Sequence, residues 1–143
     1  MSIVDSNVFG LNTVAIPNPA AGADFSSSLS AFARFQIISI NFTVVADVNV
    51  ANRLIRLNTV SDTYSCNYVT APGFQTASET INYYCGLGMA NQDLSAALSI
   101  MTICLPDALI VQKDDDFVSD ILTMQAGDQI SNIRIRYKYW WTL

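Results

Sequence analysis

This chain of 143 residues has no histidine, a single glutamate (Glu79), three cysteines and four prolines, and only 13% of it is charged. Each scarcity removes a class of chemistry. Without histidine there is no side chain that titrates near neutrality unperturbed, and the commonest general base and transition-metal ligand are missing. A Ser-His-Asp or Cys-His arrangement is excluded. A glycosidase built on two carboxylates would have to rely on aspartates. No Gly-Lys-Ser/Thr element is present to cradle a phosphate. Cys66, Cys85 and Cys104, an odd number at wide spacings, outline neither a zinc site nor a disulfide framework. Pairing of Cys66 with Cys85 stays open, and Cys104, in an apolar run, reads as a small buried hydrophobe. These absences lead to the expectation of a protein that is not an enzyme and that takes no cofactor and no metal.

Charge narrows the partners. Seven cations stand against twelve acids, a net charge of −5. Binding to a phosphate backbone needs clustered Lys and Arg, so nucleic acid is not expected as a partner. No apolar run approaches the ~20 residues of a membrane-crossing helix. The start, Met1 to Asp5, lacks the basic and apolar regions of a signal peptide, so assembly in a reducing cytoplasm is expected. The charged fraction is about half of the usual ~25%. A domain with so little charge is expected to bury part of its apolar surface against copies of itself or a partner.

The pattern that is present has period two. Ile133, Ile135, Tyr137, Tyr139 and Trp141 fall on one side of the closing segment, with Asn132, Arg134, Arg136 and Lys138 on the other. That alternation marks a strand with one buried and one wet face. The turn 125–128 separates it from a preceding apolar run that begins at Phe117. Further strands are expected over 34–47, with Ile38, Ile40, Phe42, Val44 and Ala46 inward, and over 50–60. Others follow over 80–87, where Ile81, Tyr83, Cys85 and Leu87 share a side, over 98–105 and over 108–112. Residues 64–75, with Pro72-Gly73, read as loop, and 91–97 as at most a helical turn. Seven or eight strands with no long helix make an all-β sandwich or barrel, and no fixed-period repeat points to a propeller.

Residues 1–31 differ. Pro17, Pro19, Gly22, an alanine run and Ser26-Ser27-Ser28 make a poor strand or helix former. The division expected is an extended N-terminal arm, 1–31, and a β-sandwich domain, 32–143, with the core folded even if residues 1–30 are removed. Hydrophobes scattered along the arm, Phe9, Leu11 and Ile16 among them, suit docking on this or a neighbouring subunit.

Contact residues are also expected at the other end. Tyr139, Trp140 and Trp141 crowd the terminal strand, and Tyr and Trp dominate interface hot spots. Tyr137, Tyr139 and Trp141 equally continue the apolar face into the core. Trp140 falls on the cationic side with Arg134 and Arg136 and is the best single candidate for an intersubunit or ligand contact. The acidic run Asp114 to Asp116 lacks the spaced ligands of a calcium loop and reads as an exposed turn. The sequon Asn41-Phe42-Thr43 is explained by two polar residues on one strand face.

Two segments resemble a known family. Arg34-Phe35-Gln36-Ile37-Ile38-Ser39-Ile40-Asn41-Phe42-Thr43-Val44, with Val50-Ala51-Asn52-Arg53-Leu54-Ile55-Arg56-Leu57, is similar to a segment of small proteins encoded beside capsid genes of tailed bacteriophages. Leu122-Thr123-Met124-Gln125-Ala126-Gly127-Asp128-Gln129-Ile130, running into Ile133-Arg134-Ile135 and an aromatic end, resembles their closing segment. The likeness covers 34–57 and 117–141 and leaves 62–110 unmatched. It implies a jelly-roll-like antiparallel β-sandwich acting as a head decoration (cement) protein on the capsid exterior of the virion. The implied partner is the major capsid protein, and the implied state is a homo-oligomer, with a trimer favoured. The alternatives are a phage fibre or carbohydrate- or receptor-binding β-sandwich module, and a small hydrolase using aspartates.

Overall fold

The computed structural model describes residues 7–28, 34–61, 64–107, 110–112 and 115–142. Eleven strands and one helical turn follow in chain order: β1 (Asn7–Ile16), β2 (Ser26–Ser28), β3 (Arg34–Val45), β4 (Leu54–Ser61), β5 (Tyr64–Thr70), β6 (Thr80–Leu87), β7 (Gln92–Leu94), α1 (Ser95–Leu98), β8 (Ile100–Leu105), β9 (Ile110–Gln112), β10 (Asp116–Leu122) and β11 (Gln129–Thr142). They form two sheets. The larger runs β1-β11-β3-β6-β8-β7, with β9 also on β3, and the smaller runs β2-β10-β4-β5.

With β7, β8 and β9 set aside as an insertion between β6 and β10, eight strands remain. Their order is first-last-third-sixth in one sheet and second-seventh-fourth-fifth in the other, which is the winding of a jelly roll. Every pairing among the eight is antiparallel. The parallel pair, β6 with β8, belongs to the insertion.

The core lies between the sheets and follows the period-two pattern of each strand. Phe42 stacks on Tyr83 with centroids 5.1 Å apart, and Phe25 meets Phe42 edge-on. Phe117, Ile55, Leu57, Ile121 and Met101 fill the space around them. Cys85 is buried and unpaired, and Cys66 is exposed and also unpaired, so the open question of their pairing is answered. Cys104 is only partly buried.

Two irregularities decide which side chains face out. Between the pairs Ser131–Thr43 and Arg134–Asn41, β11 carries one residue more than β3. Asn132 sits at this bulge with φ of 53°, a left-handed conformation that asparagine tolerates better than most residues. The bulge explains why the apolar series steps by three from Ile130 to Ile133. A second shift, between Arg136 and Tyr137, gives the extra residue to β3. There Ile37 is buried and Ile38 only partly so, which corrects the expectation that Ile38 points into the core.

Two further expectations are corrected. Tyr64–Thr70, read as loop, is strand β5 on the edge of the smaller sheet. The described part of the 1–31 segment is built into the sandwich. β1 pairs with β11 along its whole length, Phe25 is 1% exposed in the core, and β2 pairs with β10. Pro17, Pro19 and Gly22 lie in the link that carries the chain from one sheet to the other, not in the strands. Residues 1–6 and 29–31 of that segment lie outside the described residues, as does Asp114 of the acidic run.

Candidate functional site

The outer face of the larger sheet collects the residues that the fold itself does not consume. Strand pairing aligns them in rows across β1, β11, β3 and β6. Leu11 stands opposite Lys138, and Lys138 opposite Gln36. Thr13 faces Arg136, which faces Ser39. Ala15, Arg134, Asn41 and Tyr84 form the next row. Thr43 and Asn82 follow, joined by a 2.7 Å hydrogen bond from the threonine hydroxyl to the amide oxygen. Alternation along β11 puts Arg134, Arg136, Lys138 and Trp140 on this one side, and the Lys138 ammonium lies 5.4 Å from the centre of the Trp140 ring.

The bulge gives the face its relief. Asn132 and Arg134, with Asn41, Thr43, Asn82 and Tyr84, line a shallow hollow of about 280 Å³. A second, of about 290 Å³, is lined by Leu11, Asn12, Thr13 and Arg136. Both are open dishes bordered by amide, hydroxyl and guanidinium groups, with the half-exposed Tyr84 ring beside the first. Among the described residues neither Arg134 nor Arg136 lies within ion-pair distance of a carboxylate. Among the described side chains, three of the chain's seven cations, Arg134, Arg136 and Lys138, share one face of a chain whose net charge is −5. Guanidinium, ammonium and amide groups arranged in this way can donate hydrogen bonds to anionic or amide-rich groups.

Of the residues singled out in the sequence, Leu11, Arg134, Arg136 and Trp140 come together on this face. Leu11 is 57% exposed. Ile16 and Tyr139 belong to the other side and pack against the core, Tyr139 beside Tyr137 with centroids 6.0 Å apart. The cause is phase: Ile16 pairs with Ile133 and Tyr139 with Phe35, both buried. Phe9 and Trp141 have described backbones, opposite Trp140 and Val8 respectively, while their side chains lie outside the described residues. Tyr84 and Asn82 were not singled out, and Asn41 was named only within the discounted sequon. Their signal was the outward phase of 80–87 and 39–43, and it names a face without naming a site.

A second polar centre closes one end of the sandwich. Arg53 and Asp128 are both fully buried. The Arg53 guanidinium donates to Asp128 Oδ2 at 2.9 Å and Oδ1 at 3.0 Å, to Asp47 Oδ1 at 2.8 Å and to the Ala51 carbonyl at 2.9 Å. Asp128 also accepts the backbone N–H of Asp47 and of Gln125. Burial alone would raise the Asp128 carboxyl, but Arg53 and these two amides outweigh it and hold its pKa below the usual value. The hydrogen bond from Arg53 to Asp128 likewise raises the guanidinium pKa against desolvation. Beside it, Gln75 donates to the Val44 and Glu79 carbonyls and accepts the Tyr83 hydroxyl at 3.0 Å. With its hydrogen-bonding capacity spent internally, this centre ties the 47–53 turn to the 125–128 turn.

No protein-family model matches the chain, and no curated protein matches it.

Proposed function

We propose that this protein is a structural, non-catalytic virion component, a decoration protein that adheres as an oligomer to the outside of a capsid shell of major capsid protein. The observation that carries the reading is the outer face of the larger sheet, where Arg134, Arg136, Lys138 and Trp140 line up beside Leu11 and Tyr84. A broad, gently relieved surface with an aromatic anchor and several hydrogen-bond donors suits adhesion to another protein surface. The jelly-roll winding and the resemblance of 34–57 and 117–141 to capsid-associated phage proteins support the same reading. Many identical sites on a shell make modest affinity per contact sufficient when the protein is multivalent.

The test is co-sedimentation of the purified protein with expanded phage heads, with Arg134→Glu/Arg136→Glu as the variant. Binding that weakens in the variant and with rising salt supports the proposal. Absence of sedimentation with heads that carry vacant decoration sites contradicts it.

One observation favours a second reading, a fibre or carbohydrate-binding module. The hollow formed by Asn41, Asn82, Tyr84 and Arg134 combines amide donors and acceptors with an aromatic ring, the mixture that grips a sugar. Glycan-array binding lost in Tyr84→Ala, together with no affinity for heads, would select it.

A further inference from the structure

Among the described residues the strand orders of the two sheets end on β1 and β7 and on β2 and β5, with β9 a three-residue branch on β3. Of the four end strands all but β1 are guarded. β7 and β2 are only three residues long, and β7 carries Asp93. β5 is interrupted by a register shift against β4 between Leu57 and Asn58. Short strands, charges and bulges are the devices by which edges avoid adding further strands. β1 has none of them. It runs ten residues from Asn7 to Ile16, contains no charged residue and no proline, and keeps an unbroken register with β11 throughout. Its free edge is the longest and most regular hydrogen-bonding edge among the described residues.

We propose that β1 is the self-association edge of the protein, pairing antiparallel with β1 of a second copy so that the two larger sheets become one. The occupant follows from the chemistry of the strand. An uncharged edge offers no charge for an oppositely charged partner to match, and it meets an equally uncharged strand of equal length without repulsion. Antiparallel pairing about a two-fold axis supplies such a strand from the same sequence. With the axis near Asn12, Leu11 lies across from Thr13 of the other copy on the outer face. The cations nearest the join, Arg136 and Lys138, sit one strand back on each copy. The outer faces of the two copies then merge into one broader surface. The inference is independent of what that surface adheres to, and it is tested on the protein alone.

The experiment is sedimentation equilibrium through the micromolar range on the wild type, Leu11→Glu/Thr13→Glu and Val50→Glu. Each new carboxylate faces a cation of its own subunit, Lys138 or Arg136, so the fold is retained, while in the dimer like charges meet across the axis. The wild type is expected to reach twice the 15.6 kDa mass of one chain. The double variant should associate about tenfold more weakly, and Val50→Glu, in a turn remote from the edge, as the wild type does. A monomeric wild type overturns the proposal, and so does association that is equally strong in the double variant. Should the double variant fail to fold, amide exchange on the wild type decides. Uniform protection of β1 that becomes alternately fast upon dilution supports the edge, and alternation at every concentration overturns it.

Discussion

Arg53 shows at the level of a single residue how the fold spends its few charges. Its guanidinium is fully buried and satisfied by two carboxylates and a carbonyl, so removing it strands Asp128 without a counter-charge. Arg53→Ala is expected to cost about 3–5 kcal/mol in urea denaturation, whereas Arg53→Met with Asp128→Leu should cost less than the single change. Acid titration separates two carboxylates by sign. Asp128 is held below 3.8, so its contribution is present above that value and is lost as pH falls through the lower folded pKa. Asp24 turns its carboxyl inward to Ser119 and the Ile121 amide, and burial raises its pKa above 3.8. Its contribution is therefore present below 3.8 and is lost as pH rises through the raised value. Urea midpoints across acid pH should show a rise as pH falls towards 3.8 and a fall below it. Asp24→Asn should remove the rise and leave the fall.

At the level of the element, the bulge in β11 sets which face each side chain reaches. Asn132 holds a positive φ, so Asn132→Val should lower stability by about 1–2 kcal/mol while Asn132→Gly is tolerated. Thermal or urea unfolding of the pair checks this. The alternation that revealed β11 in the sequence also contained the bulge, as the three-residue step from Ile130 to Ile133. In β3 the same kind of step, from Ile37 to Ile40, was hidden because Ile38 is itself apolar and fits the wrong phase equally well. β1 was less legible still. Its residues have ordinary strand chemistry, but the prolines and glycine just beyond them dominated the segment, and the partner that makes it a strand lies more than a hundred residues away. β5 was masked in the same way by Pro72-Gly73, which follows the strand instead of breaking it. The stripe on β11 was readable because cations alternate there with apolar residues from Ile133 to Tyr139. The hollow beside it was not, since Asn41, Asn82 and Tyr84 meet Arg134 only once three strands are in register.

At the level of the whole molecule, the described part of the N-terminal segment, residues 7–28, belongs to the sandwich. Deleting residues 1–30 removes the strand that covers one side of β11 and takes Phe25 out of the core. The truncated chain is expected to lose its cooperative unfolding transition, although the composition of the segment suggested a dispensable arm. Circular dichroism during heating reads this directly. The molecule that results has one sheet whose outer face gathers cations and aromatics, a long open edge beside that face, and an ion-paired end that locks two turns together.

Hydrogen exchange on the protein bound to expanded heads, compared with the protein alone, tests adhesion through the outer face of the larger sheet. The expected result is new protection along β11, β3 and β6 around Arg134, Asn41 and Tyr84, with β4 and β10 unchanged. Protection confined to the smaller sheet, or no binding from which to measure it, would contradict the account.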